Sequence, residues 1–333
     1  MQTYNAIIKG TGNYHPEKVM TNDDLAKMVD TSDEWITQRT GIKERRIGSV
    51  ENEEFPSGMA EHAAREAIKN AGLTPDDIDL ILFSVTLPDM LFPNTASQLQ
   101  TRLGISNQCA CLDFNAACTG WVYGLQMVNS LVQTGVYKNA LLVGCEMTST
   151  FNNWEDRSTC VLFGDGCGAT VISRDEDNTG AMIFDSILGC DSSKSMALAL
   201  PKGGSKEPIT HEVLEKKEQY ISMDGQVVFK AAVKTMSSHC ATLLERNNLT
   251  LDDIDWFIPH QANLRIIETS AKLLNFPMER VIQTVQKYAN TSSASIPAAL
   301  HEAVMDGRVK RGQTILVAAF GAGLTSGAAL IKF

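Results

Sequence analysis

The sequence predicts an α/β protein made of two related halves, and three observations predict it. Apolar runs of strand length alternate with amphipathic helical stretches along the chain, the pattern of parallel-sheet units. Residues 73–80 read LTPDDIDL and return as LTLDDIDW at 249–256, an offset of 176. TGVYKNALLV at 134–143 is echoed by DGRVKRGQTILV at 306–317, an offset near 172. Two matches in one order at nearly one offset indicate duplication. The boundary falls near the polar, turn-rich RDEDNTG at 174–180, dividing the chain into 1–174 and 175–333. A length of 333 residues is also long for a single core.

The elements follow in order. The first strand spans 5–12, before the amphipathic AEHAAREAIKNAG of a helix at 57–71. LILFSVT, within a strand at 79–86, reads as buried, followed by a helix at 94–103 and the strand CLDFNA at 111–116. A helix at 119–134 carries apolar residues at helical spacing and closes at a Gly, before a basic turn and a strand at 139–146. Strands at 160–173 and 182–190 complete the first unit and open the second. Residues 191–218, rich in Ser, Lys, Gly and Pro, read as an irregular excursion and a mobile cover over a site. The second half then gives helices at 225–247, 263–275 and 295–306, and strands at 255–259, 313–320 and 325–332.

A net charge of −10 argues against binding nucleic acid or an anionic membrane surface. The N-terminal MQTYNAIIKGTG lacks a signal-peptide pattern, and no apolar run reaches spanning length, so a cytoplasmic location is expected. In that reducing compartment the eight cysteines are expected to be free thiols. Cys109 and Cys111 form a CxC without a partner pair at ligand spacing, so no metal is expected.

Ligands of open parallel sheets gather at the carboxyl ends of strands, which directs attention to the residues there. Cys118 follows one strand and opens a helix, a placement that favours its thiolate; a small buried cysteine is the plain alternative. His260, in FIPHQANLRI, ends a strand before a helix capped by Asn263, where a structural histidine is the alternative. Asn290, in KYANTSSASIP, aligns with Cys118 through the repeat, ANTS against ACTG; a turn or cap is its plain reading. FGAGLTSG at 320–327 has no helix after it, which excludes a dinucleotide turn. Its small residues suit a backbone N–H aimed at an oxyanion, from Ala322.

These motifs, with TSDEWITQRTGIKERR at 31–46 and DRSTCVLFGDGCGA at 156–169, resemble the β-ketoacyl-acyl-carrier-protein synthase III family over nearly the whole chain. The resemblance implies a thiolase-like fold, two βαβαβαββ halves in a five-layered αβαβα arrangement, and a homodimer. It implies acyl transfer from coenzyme A, usually of acetyl, to Cys118, then decarboxylative condensation with malonyl-acyl-carrier-protein at His260 and Asn290. Coenzyme A enters as a substrate thioester, and no cofactor is implied. The N–H groups of Cys118 and Ala322 would form the oxyanion hole. By resemblance, Trp35 and Arg157 sandwich adenine with Thr31 at its edge, and Arg39 and Arg265 lie near the phosphates. Gly225, Phe229 and Asn263 line the pantetheine channel. Phe92 crosses the dimer to the partner's acyl pocket, which Phe320 also lines, and Gln261, Arg265 and Lys272 meet the carrier protein. Gly321-Ala322-Gly323 and Ser326 depart from the family's usual GGG and Trp, which leaves primer length open.

A thiolase would need a second cysteine near the C-terminus, and the last here is Cys240. An elongating ketosynthase would have His in place of Asn290. A specialised-metabolism relative with another starter or acceptor stays open, whereas a Cys-His-Asn hydrolase would lack the coenzyme A residues and the repeat, and a non-catalytic acyl-CoA-binding module would not need all three catalytic positions filled.

Overall fold

Two sheets share one strand order in the computed structural model, which describes residues 3–333. The first holds β1 (Ala6–Tyr14), β2 (Leu80–Ser84), β3 (Ala110–Phe114), β4 (Asn139–Glu146) and β5 (Gly166–Arg174). The second holds β6 (Met182–Cys190), β7 (Trp256–Pro259), β8 (Thr314–Gly321) and β9 (Thr325–Lys332). The first is ordered β1-β5-β4-β2-β3 and the second β6-β9-β8-β7. Directions match as well: β2–β4 and β7–β8 are parallel, while β1–β5–β4 and β6–β9–β8 are antiparallel. Where β3 lies in the first sheet, the second keeps only a parallel bridge from Phe257 to Val281. The repeated LTxDDID segments adopt one geometry too, a short turn with Thr74 and Asp77, or Thr250 and Asp253, capping each other. The echo in sequence is an echo in shape.

Among the described residues the seven helices of eight or more residues, α1 (Asp33–Thr40), α2 (Pro56–Asn70), α3 (Thr95–Leu103), α4 (Gly120–Gln133), α5 (Gly225–Arg246), α6 (Leu264–Leu274) and α7 (Ser295–Met305), complete the frame. Helices α2 and α3 cover the outer face of the first sheet, and α5 and α6 that of the second. Helices α4 and α7 lie between the sheets, in a core that joins Trp121, Leu142, Ile296 and Val317. The layers are therefore αβαβα. Strands β4 and β8 are buried at every position, which is why NALLVGCE and TILVAAFG read as apolar runs rather than alternating ones.

Three expectations shift. The strand foreseen at 160–173 starts only at Gly166; Val161, Leu162 and Phe163 instead form a turn that walls a cavity. An apolar run signals burial and does not specify extended backbone. Helix α1 was not anticipated, although Ser32 caps its start and Gly41, at φ 74°, ends it. The 191–218 excursion contains a short helix, His211–Glu215, and a two-residue strand, Leu198–Ala199, pairing with Ser222–Met223. Among the described residues no helix is long and apolar enough to cross a membrane.

Candidate active site

The repeat brings its strand ends together. Cys118, His260 and Asn290 all line one cavity of about 990 Å³ and are 8%, 2% and 7% exposed. Cys118 sits on the tight turn Ala117–Thr119 between β3 and α4. The residues just before Cys118 and Asn290, Ala117 and Ala289, both have left-handed φ, 46° and 58°. Each such turn costs about 1–2 kcal/mol and persists only because the surrounding packing imposes it. The second half presses close to the nucleophile turn: a Cβ on Gly321 would lie 2.9 Å from the Cys118 nitrogen. Only glycine allows that approach.

Hydrogen bonds fix how the two other groups face the cavity. Ser295 Oγ lies 2.6 Å from His260 Nδ1 and accepts the Gln261 N–H at 3.3 Å. A Ser295 hydroxyl hydrogen directed at Nδ1 makes Nε2 the protonated nitrogen, the tautomer that can donate into the cavity. Burial pushes the imidazole down to about 3, so it is neutral at physiological pH. Asn290 Oδ1 accepts the Ser292 N–H at 2.8 Å, so the free end of its carboxamide is the NH₂ donor. Both groups are neutral donors.

Cys118 departs from expectation. Its helix-tip position was expected to favour the thiolate, yet burial pushes the thiol up to about 11. The neighbouring Ser292 hydroxyl works the other way, and the negative charge of Glu146 adds to the rise. Desolvation in an enclosed site outweighs the short turn's contribution.

The cavity's outer part gathers the other foreseen residues: Trp35, Arg39, Arg157, Gly225, Phe229, Asn263 and Arg265 all line it, with Phe320 deeper in. A smaller cavity of about 60 Å³ touches Cys118 and Ala322 and is otherwise walled by groups such as Phe151, Phe163 and Leu198. One assignment, that of Gln261, changes, and the other foreseen residues have the following surroundings. Arg157 rests directly on Trp35, 4.8 Å from its ring centre, with Arg39 also against that ring at 4.4 Å. A ring sandwiched between Trp35 and Arg157 would need about 7 Å, two contact distances. Thr31 lies outside the lining, its hydroxyl buried and unpartnered. Phe92 lines neither cavity and is 84% exposed. Gln261 is 1% exposed; its amide donates to the carbonyls of Pro259 and Ile282 and accepts from Thr284 and Val285, so it ties loops together and cannot meet a carrier protein. Lys272 is exposed on α6.

Three residues went unread in the sequence. Ser295 and Ser292 lie in the serine-rich NTSSAS run, which read as a turn. Glu146 ends an apolar strand, and an acid at a strand's carboxyl end was the signal available. Among the described residues no group of three or more His, Cys, Asp or Glu is arranged to hold a metal ion.

The duplicated layers around a Cys, His and Asn define a thiolase-fold acyltransferase. Models of the 3-oxoacyl-acyl-carrier-protein synthase III family match residues 112–192 and, for its C-terminal part, 244–333. A β-ketoacyl-acyl-carrier-protein synthase III of Caldanaerobacter subterraneus is 49% identical over 98% of both chains. One from Xanthomonas campestris is 49% identical, again over 98% of both. The crystal structure of the 3-oxoacyl-acyl-carrier-protein synthase III of Aquifex aeolicus superposes with a TM-score of 0.90 at 44% identity, covering 98% of this chain and 100% of that one. The chain belongs to the β-ketoacyl-acyl-carrier-protein synthase III family.

Proposed function

We propose that the chain condenses a short acyl-CoA primer, acetyl above all, with malonyl-acyl-carrier-protein through an acyl-enzyme on Cys118. One observation carries this reading: the buried Cys118, His260 and Asn290 close the inner end of a cavity whose outer part holds Trp35, Arg39 and Arg157. The sulfur attacks the primer thioester and coenzyme A leaves. Malonyl-acyl-carrier-protein follows and loses carbon dioxide, and its enolate oxygen receives the His260 Nε2–H and the Asn290 amide. The enolate carbon attacks the acyl-enzyme, and the backbone N–H groups of Cys118 and Ala322 hold the tetrahedral oxyanion. Each such donor is worth about 3–4 kcal/mol of barrier.

The cavity of about 60 Å³ beside the sulfur, about the volume of two water molecules, favours a two-carbon primer. At the outer end the adenine displaces Arg157 from the face of Trp35. Arg265 and Lys272, both exposed on or beside the start and end of α6, form the basic patch for an acidic carrier protein. The homodimer uses the edge strand β3, which pairs only with β2 and exposes Leu112, together with the adjoining Leu91 and Phe92. Within each chain, residues 1–174 and 175–333 are the two related halves.

Intact-mass measurement after incubation with acetyl-CoA and longer acyl-CoAs tests the reading. The wild type should gain one acyl group per chain, Cys118→Ala none, and malonyl-acyl-carrier-protein should remove it. An adduct that survives in Cys118→Ala refutes the assignment.

A further inference from the structure

Cys118 needs a base, and the groups facing it do not supply one. Burial keeps its thiol neutral and holds the His260 imidazole down at about 3, too weak a base to take that proton. Glu146, at the end of β4, is a buried acid beside them, 1% exposed. Its carboxylate receives the Thr86 N–H at 3.1 Å and the Thr86 hydroxyl at 2.9 Å from the first half. The hydroxyls of Ser292 and Ser293, each at 3.3 Å, reach it from the second. Ser292 also lines the small cavity together with Cys118. The cavity that holds the thiol is therefore also lined by a residue whose hydroxyl is bonded to a carboxylate oxygen.

We propose that Ser292 and Glu146 form a proton relay that takes the Cys118 thiol proton as the sulfur attacks the primer, and returns it when the sulfur is released. The inference rests on the acyl-enzyme reading above. In the first half-reaction the sulfur–carbon bond forms and the primer's bond to coenzyme A breaks. The thiol hydrogen passes to Ser292 Oγ, and the Ser292 hydrogen passes to Glu146. Coenzyme A leaves as a thiolate and takes its proton from solvent. In the second half-reaction Cys118 is expelled as a thiolate, and the same two transfers run backwards. The net reaction consumes one proton, carried away on the coenzyme A thiol.

The surroundings fit a base that must take and release a proton near neutrality. All four donors to Glu146 are uncharged, and burial, only partly offset by them, pushes the carboxyl up to about 7. Cys118 from the nucleophile turn and Cys145, next to it on β4, are the titratable groups that feel its charge. The ionised, accepting form therefore grows between about pH 6 and pH 8.

Glu146→Gln keeps the shape and an acceptor oxygen but cannot take the proton. Ser292→Ala removes the hydroxyl and keeps the backbone N–H that orients Asn290. Two rates are measured against pH in each variant and in their combination: single-turnover acylation by acetyl-CoA, and primer-free decarboxylation of malonyl-acyl-carrier-protein. Each variant should lose about 10²-fold in acylation, together with the wild-type rise near pH 7, and should keep decarboxylation. The double variant should be no slower than the slower single one, because the two act as a unit. Acylation at the wild-type rate, or equal loss of both half-reactions, refutes the relay; the latter marks Glu146 as purely structural. If Glu146→Gln does not fold, Ser292→Ala decides alone. A wild type that never acylates Cys118 overturns the parent reading instead.

Discussion

Replacing Ser295 with Ala isolates the tautomer of His260. The Ser295 hydroxyl is the partner of Nδ1, at 2.6 Å in a fully buried setting, and also accepts the Gln261 N–H. The substitution removes both bonds but leaves α7 intact, since Ala at the first helical position is a good helix former. A buried nitrogen stripped of its donor costs about 1–3 kcal/mol. That much should appear as lost stability in denaturant titration. The ring is then free to carry its hydrogen on Nδ1, which leaves Nε2 without a proton to donate to the enolate. If the same energy is lost from the decarboxylation transition state, the rate falls about 5- to 150-fold. Acyl transfer to Cys118, which asks nothing of that proton, should change little. The assay is primer-free decarboxylation of malonyl-acyl-carrier-protein beside single-turnover acylation, with nitrogen NMR of the imidazole reporting which atom is protonated. Normal decarboxylation in a variant with the expected stability loss would refute the argument that Ser295 sets the donor.

Two further perturbations test the packing around the site. Gly321→Ala places a methyl 2.9 Å from the Cys118 nitrogen and 3.1 Å from its Cβ, so the nucleophile turn must shift away from Ala322. Acylation should slow by about 10²–10³-fold, the worth of one oxyanion donor, and a stopped-flow acylation trace with normal rates would contradict it. Gln261→Ala strands two backbone donors and two carbonyls in the interior and should cost about 2–4 kcal/mol in a denaturant titration. Per folded molecule its KM for the carrier protein should stay unchanged, whereas Lys272→Glu should raise that KM most at low salt.

The meeting point of the halves concentrates these effects. Gly321 against Cys118, Ser295 against His260, and Ser292 and Ser293 against Glu146 are all contacts between segments far apart in the chain. Each aligns a reacting group through a neighbour from another element. Rigid neighbours of this kind hold a site within the small tolerance that chemistry demands.

Much of this protein follows from its order of residues alone. Alternating apolar runs and helical stretches set the layers, because periodicity reports which face of an element is buried. The LTxDDID echo indicated the duplication, Cys118 and His260 were legible as candidates from their places at strand ends, and Asn290 from its alignment with Cys118 in the repeat. What only the folded chain decided is burial and partnership. Gln261 reads as a polar turn residue until four backbone partners enclose it, and the helix-tip thiol reads as activated until its surroundings are counted. Glu146 and Ser292, 146 residues apart, have no local signature linking them. Desolvation and hydrogen bonding sum over everything within a few ångströms, and packing alone determines what lies there.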